Sequence, residues 1–408
     1  MAGELLDGVT SDPVRMGWME GSPPPADKIL LASRADHMRF PMIRWSYSNM
    51  RQFVPSRRVA AAGGGVAFER SLDDGLGQVG FVPINGEESI TLEQSLTQAF
   101  TDGILVLHRG RVVFERWFGV TVPETRHIAF SVTKSFVGTV AEMLVHEGRL
   151  DPSAPASQYL PGLAGSGFGD ATVRQVLDMT TALDFSEDYA DPNSGIGAYS
   201  AALGLTPRPL DYAGPIDLAS YLPTIGKAGE HGVGFTYRTP NTEVLAWIVS
   251  QIEGKHFAEV LSERLWQPLG MLGDADLIVD QAGTAFAGGG LNLWLEDLAR
   301  FGEAMRLGGL GVIPEAVVER ATHGGDPAHF DRNRYPQLPG WSYGSQWWIS
   351  NNNRGCFSAR GIHGQTLWVD PAAEMTVARF ASHPTAANGA NDPLSLPAWA
   401  ALAEALSR

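Results

Sequence analysis

The strand-like segments of this 408-residue chain lie toward its two ends, and the stretch between them is largely helical in pattern. A doubly wound parallel sheet needs strands and helices in regular alternation, so this distribution argues against one. On the N-terminal side, residues 104–108 and 111–117 flank Arg109-Gly110, a two-residue turn signal between apolar runs. On the C-terminal side come GSQWWIS, a turn at NNNRG and the long run CFSARGIHGQTLWVD, read as one strand. A turn at Pro371-Ala372-Ala373 then leads into MTVARFAS, and a short helix, LPAWAALAEAL, follows.

Between these ends, ATVRQVLDMTTAL and NTEVLAWIVSQIEG carry helical spacing, and LEDLARFGEAMRLGG reads as an amphipathic helix after Gly-rich AFAGGGLNL. GIGAYSAALGLTPRPLDYAGP reads as loop, and residues 1–60, rich in Pro, Arg and aromatics without a period, read as an extended arm. The expected fold class is α+β: an antiparallel β-sheet flanked by helices and built from both ends of the chain. Residues 1–155 and 281–408 would form that α/β sheet domain, and 156–280 an inserted, mainly α-helical domain.

Thirty basic against forty-five acidic side chains leave a formal charge of −15, which repels phosphate backbones and anionic lipid. Nucleic acid and membrane partners are therefore not expected. The lone Cys356 rules out an intrachain disulfide, and no Cys/His cluster has the spacing of a structural zinc site. No run reaches the length of a membrane-spanning helix, and the first residues lack the basic and apolar regions of a signal peptide. The expectation is a cytoplasmic protein without cofactor or metal; a homodimer stays open.

Chemistry enters at Ser131-Val132-Thr133-Lys134, where SVTKSFVGTVAEMLVHEG begins a helix that Gly148 would end. Residues three apart share a helix face, so the Ser131 hydroxyl and Lys134 amine would be neighbours. A serine hydroxyl needs a base to become a nucleophile, and a desolvated lysine can lose its charge and serve as one. Unpaired N–H groups at the helix start favour a developing oxyanion. Such a tetrad also arises by chance, but Lys134 is one of four lysines and alone has serine three residues earlier. Tyr237, in GFTYRTPNTEVLAWIV, precedes a helix and could relay a proton. Gly361 and Gly364 interrupt a run of bulky residues, which points either to close approach of a ligand or to a bend.

In this order the motifs resemble those of the serine β-lactamase-like, penicillin-recognising hydrolases, which include D,D-peptidases and related esterases. Within that superfamily the chain looks most like 6-aminohexanoate-dimer hydrolases and their carboxylesterase relatives. FSVTKSFVGTV, LDMTTALDFSEDYADP, YRTPNTEVLAWIV, SQWWIS and GIHGQTLWVDP carry the similarity, which runs from about residue 40 onward. The resemblance implies a serine hydrolase that works through an acyl-enzyme on small carboxylic esters or linear amides. It makes Ser131 the nucleophile, with Lys134 and Tyr237 as proton-transfer partners and the N–H groups of Ser131 and Ile362 as oxyanion hole. Tyr189, Thr239, Gly361 and His363 become candidate substrate-binding residues, although a histidine in such a strand more often satisfies a structural bond.

Two positions depart from the pattern. Ala359-Arg360-Gly361 replaces the Lys-Thr-Gly of β-lactamases, and Gly288 stands where amide-cleaving relatives can carry a polar side chain. The alternatives are a β-lactamase or D,D-peptidase and a non-catalytic binding member of the fold. An amine-bearing dimer would want a carboxylate in the pocket, and Glu187, Asp188 and Asp191 flank Tyr189. Gly340-Trp341-Ser342-Tyr343-Gly344 matches a nucleophile elbow, but a proline loop precedes it where a strand is needed. Tyr47-Ser48-Asn49 precedes the Ser-x-x-Lys and is out of order for the tyrosine motif.

Overall fold

The computed structural model describes residues 6–191, 193–208, 210–331 and 334–408. Eleven strands form two sheets: β1 (Ser56–Val59), β2 (Thr101–His108), β3 (Arg111–Trp117), β4 (His127–Ile128), β5 (Ala275–Ile278), β6 (Leu291–Leu293), β7 (Ser342–Gly344), β8 (Trp347–Ile349), β9 (Phe357–Gly361), β10 (Gln365–Asp370) and β11 (Met375–Ala381). The larger sheet has seven antiparallel strands in the order β3-β2-β11-β10-β9-β8-β7, so both ends of the chain build it, as expected. Its centre is the pairing of β2 with β11, in which Val106 faces Val377. The smaller sheet runs β1-β5-β6-β4.

Seven helices matter for the site or the core: α1 (Thr133–His146), α2 (Val173–Leu177), α3 (Gly195–Leu203), α4 (Pro240–Glu253), α5 (Leu295–Arg306), α6 (Glu315–His323) and α7 (Asp392–Leu406). Strand alternation divides β2 between two apolar clusters. Leu105 and Leu107 pack with Phe136 of α1 and Phe301 of α5, whose rings stack 3.9 Å apart. Ile104 and Val106 face the other way, against Trp399 and Leu402 of α7. The large sheet is thus covered on both faces, and Ser131 lies just before α1, in a turn packed against β9.

The β2–β3 hairpin turns where the sequence places it. Arg109 and Gly110 both take positive φ, 52° and 77°, the geometry a two-residue hairpin turn demands. Three expectations need correction. The run CFSARGIHGQTLWVD is not one strand but a tight hairpin: β9 pairs with β10 from Phe357↔Val369 to Gly361↔Gln365, and the chain reverses at Ile362-His363-Gly364. Positive φ at His363 (62°) and Gly364 (97°) makes that reversal. The segment GIGAYSAALG is not loop but helix α3, with the Ser194 side chain capping Gly197 N–H and Gly204 ending it at φ 82°.

The N-terminal arm is not extended either. Among its described residues it is a series of short helical turns followed by β1, and Ile43, Arg44, Trp45, Tyr47 and Met50 are buried. Arg44 anchors it through a buried ion pair with Asp102 of β2, Nη1 to Oδ1 2.9 Å. Strand β5, at the end of the span expected to be a helical insertion, pairs with β1 and β6 in the small sheet. No helix among the described residues is long and apolar enough to cross a membrane.

Candidate active site

Ser131 sits in a 3-10 turn, Phe130–Val132, that runs directly into α1. The turn is held from both sides. Ala129 N–H donates to Leu291 O at 2.8 Å, and the Thr133 hydroxyl donates to Phe130 O at 2.7 Å while accepting from Leu291 N–H at 3.1 Å. Phe130 itself takes φ 43°, an uncommon conformation for a bulky residue immediately before the serine. One helical turn on, Lys134 Nζ lies 3.0 Å from Ser131 Oγ. Lys134 is 1% exposed, and its second partner is the Gly288 carbonyl.

That burial lowers the Lys134 pKa below the ordinary lysine range, while the negative charges of Glu187 and Glu243 work in the opposite direction. Tyr237 completes the triangle. Its ring stacks on Trp348 at 5.6 Å, meets Tyr343 edge-on, and has Lys134 Nζ 5.2 Å from its centroid. Burial pushes its phenol well above the usual tyrosine value, and Glu187 adds to this, whereas a hydrogen bond with Ser131 opposes it. Of the three groups, the lysine is the one moved toward a neutral base and the tyrosine is the one held protonated.

A cavity of about 360 Å³ opens over Ser131. Ser131, Tyr189, Tyr237 and Ile362 line it, together with Glu187, Arg334, Tyr335, Trp348, Arg360 and Asp392. Glu187 is braced within the wall: Thr239 N–H donates to Oε2 at 3.0 Å, the Thr239 hydroxyl to Oε1 at 2.5 Å, and the Tyr189 hydroxyl to Oε1 at 2.8 Å. Arg360, also in the lining, pairs with Asp392 at the start of α7 and lies 5.2 Å from the Trp348 ring centroid. The lining therefore carries two carboxylates, Glu187 and Asp392, and two guanidinium groups, Arg334 and Arg360, of which Arg360 is paired with Asp392.

The structure does not bring every candidate from the sequence to this cavity. Thr239 acts from behind, as the brace on Glu187. His363 is buried beneath the site, its Nδ1 2.6 Å from His383 O and its ring against Tyr47 and Phe130. Burial lowers its pKa to about 4, so it stays neutral, and it is not among the cavity's lining residues. Gly361 is not a lining residue: a Cβ there would stand 2.6 Å from Ala129 O, so the residue packs closely against the serine turn. Asp188 and Asp191 are exposed outside the cavity. Ser342 is fully buried in β7, accepting from Asn351 Nδ2 at 3.0 Å, with no helix after it and no elbow.

Sequence reasoning overlooked Glu243, and treated Arg360 only as a departure from Lys-Thr-Gly. Glu243 reads as the polar side of an amphipathic helix; only its 3% exposure in the structure marks it out. Gly288 has no room for a side chain, since a Cβ would meet Thr239 Cγ2 at 2.5 Å and Glu243 Oε1 at 2.7 Å.

The family model described as Beta-lactamase matches residues 91–396. The chain is 40% identical over 299 residues to 6-aminohexanoate-dimer hydrolase of Paenarthrobacter ureafaciens, a match covering 72% of this chain and 75% of that protein. A putative 6-aminohexanoate-dimer hydrolase from Bacillus anthracis superposes with a TM-score of 0.85 at 28% identity, covering 95% of this chain and 99% of that one. EstCE1, a hydrolase with promiscuous acyltransferase activity, shares the fold with a TM-score of 0.58 at 18% identity, covering 76% of this chain and 96% of that one. With the family model spanning residues 91–396 and with these relatives, the chain belongs to the beta-lactamase family, as a hydrolase similar to 6-aminohexanoate-dimer hydrolase.

Proposed function

We propose that Ser131, Lys134 and Tyr237 form the catalytic site of an acyl-enzyme hydrolase acting on small carboxylic esters and linear amides. The observation that carries this reading is the 3.0 Å approach of the buried Lys134 Nζ to Ser131 Oγ, beneath a cavity that Ser131 and Tyr237 line. The neutral Lys134 amine takes the proton of Ser131 as Oγ attacks the substrate carbonyl carbon. The resulting oxyanion lies toward the N–H groups of Ser131 and Ile362. The proton passes through the Tyr237 hydroxyl to the departing alkoxide or amine as the carbonyl–leaving-group bond breaks. Water then attacks the Ser131 ester with the same groups acting in reverse, releasing the carboxylic acid and restoring the serine.

Glu187 supports substrates that carry an ammonium group, because a braced carboxylate in the cavity wall can pair with one. This extends the reading from esters to amine-bearing linear amides such as a 6-aminohexanoate dimer. A β-lactamase reading is less well supported, since Arg360 replaces the threonine of Lys-Thr-Gly and is already paired with Asp392. Turnover of p-nitrophenyl esters, of a 6-aminohexanoate dimer and of nitrocefin in parallel tests the assignment. Ester and dimer hydrolysis with negligible nitrocefin turnover is the expected pattern; nitrocefin as the best substrate would overturn it.

A further inference from the structure

Glu243 is a carboxylate 3% exposed on α4, one helix away from the proposed nucleophile. Its two oxygens are fully engaged. Oε2 accepts from Ala287 N–H at 2.9 Å, and Oε1 accepts from Gly288 N–H at 2.7 Å and from the Tyr199 hydroxyl of α3. The other end of residue 288 faces the opposite way, and its carbonyl accepts from Lys134 Nζ. A single glycine therefore joins the buried acid to the buried base. Its missing side chain is required, because a Cβ would overlap both Glu243 and Thr239. A buried carboxylate is costly unless it is well satisfied, and two backbone N–H groups and one hydroxyl converge here to do so.

We propose that Glu243 is the positioning residue of the general base: it fixes the Gly288 carbonyl that holds Lys134 against Ser131, and it lays a negative charge one residue away from that amine. The inference rests on the Ser131–Lys134 reading above. The charged and titratable groups around this pair are Lys134 on α1, Tyr199 on α3, Glu187 on the loop before α3 and Tyr237 before α4. Glu187 and Glu243 both favour the charged lysine, and burial opposes them. Burial also raises Glu243 above the ordinary carboxylate range, while Lys134 works to lower it.

The role predicts two separable effects. Glu243→Gln removes the charge and places an NH₂ against one of the two backbone N–H groups. Its acid limb in kcat/KM should move to lower pH by about one unit, because neutral Lys134 forms more readily without the anion. Its kcat should fall about tenfold with KM within about twofold, because the amine is less well held. Glu243→Asp keeps the charge and shortens the arm, so its limb should stay within about 0.3 units of wild type while kcat falls comparably. The pH profiles of wild type and both variants on one p-nitrophenyl ester, with Tm measured alongside, decide the matter. An unmoved limb in folded Glu243→Gln, or a lower Tm with kcat and limb unchanged, overturns the proposal. If Glu243→Gln does not fold, a wild-type kcat in Glu243→Asp overturns it. Lys134→Ala is the control for the parent reading: wild-type turnover in that variant would remove the base itself, whatever Glu243 does.

Discussion

Gly361 and Ala129 approach so closely that a Cβ on Gly361 would stand 2.6 Å from the Ala129 carbonyl oxygen. Gly361 ends β9 and is followed by Ile362, which lines the cavity; Ala129 lies two residues before Ser131. The contact sets how near the two proposed oxyanion donors can come. Gly361→Ala should force the hairpin away from the serine turn, with a stability cost of about 1–3 kcal/mol. Loss of one donor's geometry should lower kcat about a hundredfold on a p-nitrophenyl ester. Melting curves and kcat on the purified variant check both. Wild-type kcat would mean that Ile362 takes no part in the oxyanion hole.

Removing the Tyr237 hydroxyl leaves its ring stacked on Trp348. Tyr237→Phe should therefore fold and bind substrate, and lose only proton relay. An amine leaves poorly without a proton, whereas p-nitrophenolate needs no help. The kcat loss on an anilide should exceed that on the activated ester, where roughly ten- to a hundredfold is expected. Equal and negligible effects on both substrates would remove Tyr237 from the mechanism.

Glu187 is the carboxylate available to an ammonium group, and Thr239 and Tyr189 hold it in place. Glu187→Gln should raise KM for an amine-bearing amide by about tenfold, the effect of one charge-assisted contact, and leave KM for a neutral ester nearly unchanged. Thr239→Val should show the same selectivity in weaker form, since it loosens the brace and keeps the charge. KM measured for both substrates on both variants tests this. A uniform rise across substrates would place Glu187 outside ammonium recognition.

The pH profile carries a sign. Burial holds Lys134 below the ordinary lysine value, and the neutral amine is the proposed active form, so kcat/KM should rise with pH along a single limb below that value. Lys134→Arg should abolish the limb together with the activity, because guanidinium stays charged. The profile of wild type on a p-nitrophenyl ester checks it, and a rate that falls as pH rises through neutrality would contradict a lysine base.

The parts of the fold and site that were legible in sequence are those whose signal is local. Arg109-Gly110 names its own turn, and Ser131 and Lys134 meet because they are one helical turn apart. Tyr237 depended on the order of motifs, since a lone tyrosine before a proline carries little information. The β9–β10 hairpin was missed because Ile362-His363-Gly364 reverses the chain without Asn-Gly, Asp-Gly or proline. Helix α3 was missed although Ser194 and Gly204 cap it, because its glycines outweighed its alanines. Glu187 could be named beside Tyr189 but not told from Asp188 and Asp191, while Glu243 and Arg360 reach the site through long-range packing of α4 and β9. No spacing in the chain records that convergence.

The most direct test is to treat the protein with a fluorophosphonate, measure its intact mass and map the modified peptide. One adduct per chain is predicted on the peptide holding Ser131, absent in Ser131→Ala and retained in Ser342→Ala, with hydrolysis of a p-nitrophenyl ester falling at least about a thousandfold in the first variant only. An adduct on Ser342, or labelling and turnover that persist in Ser131→Ala, would contradict the account.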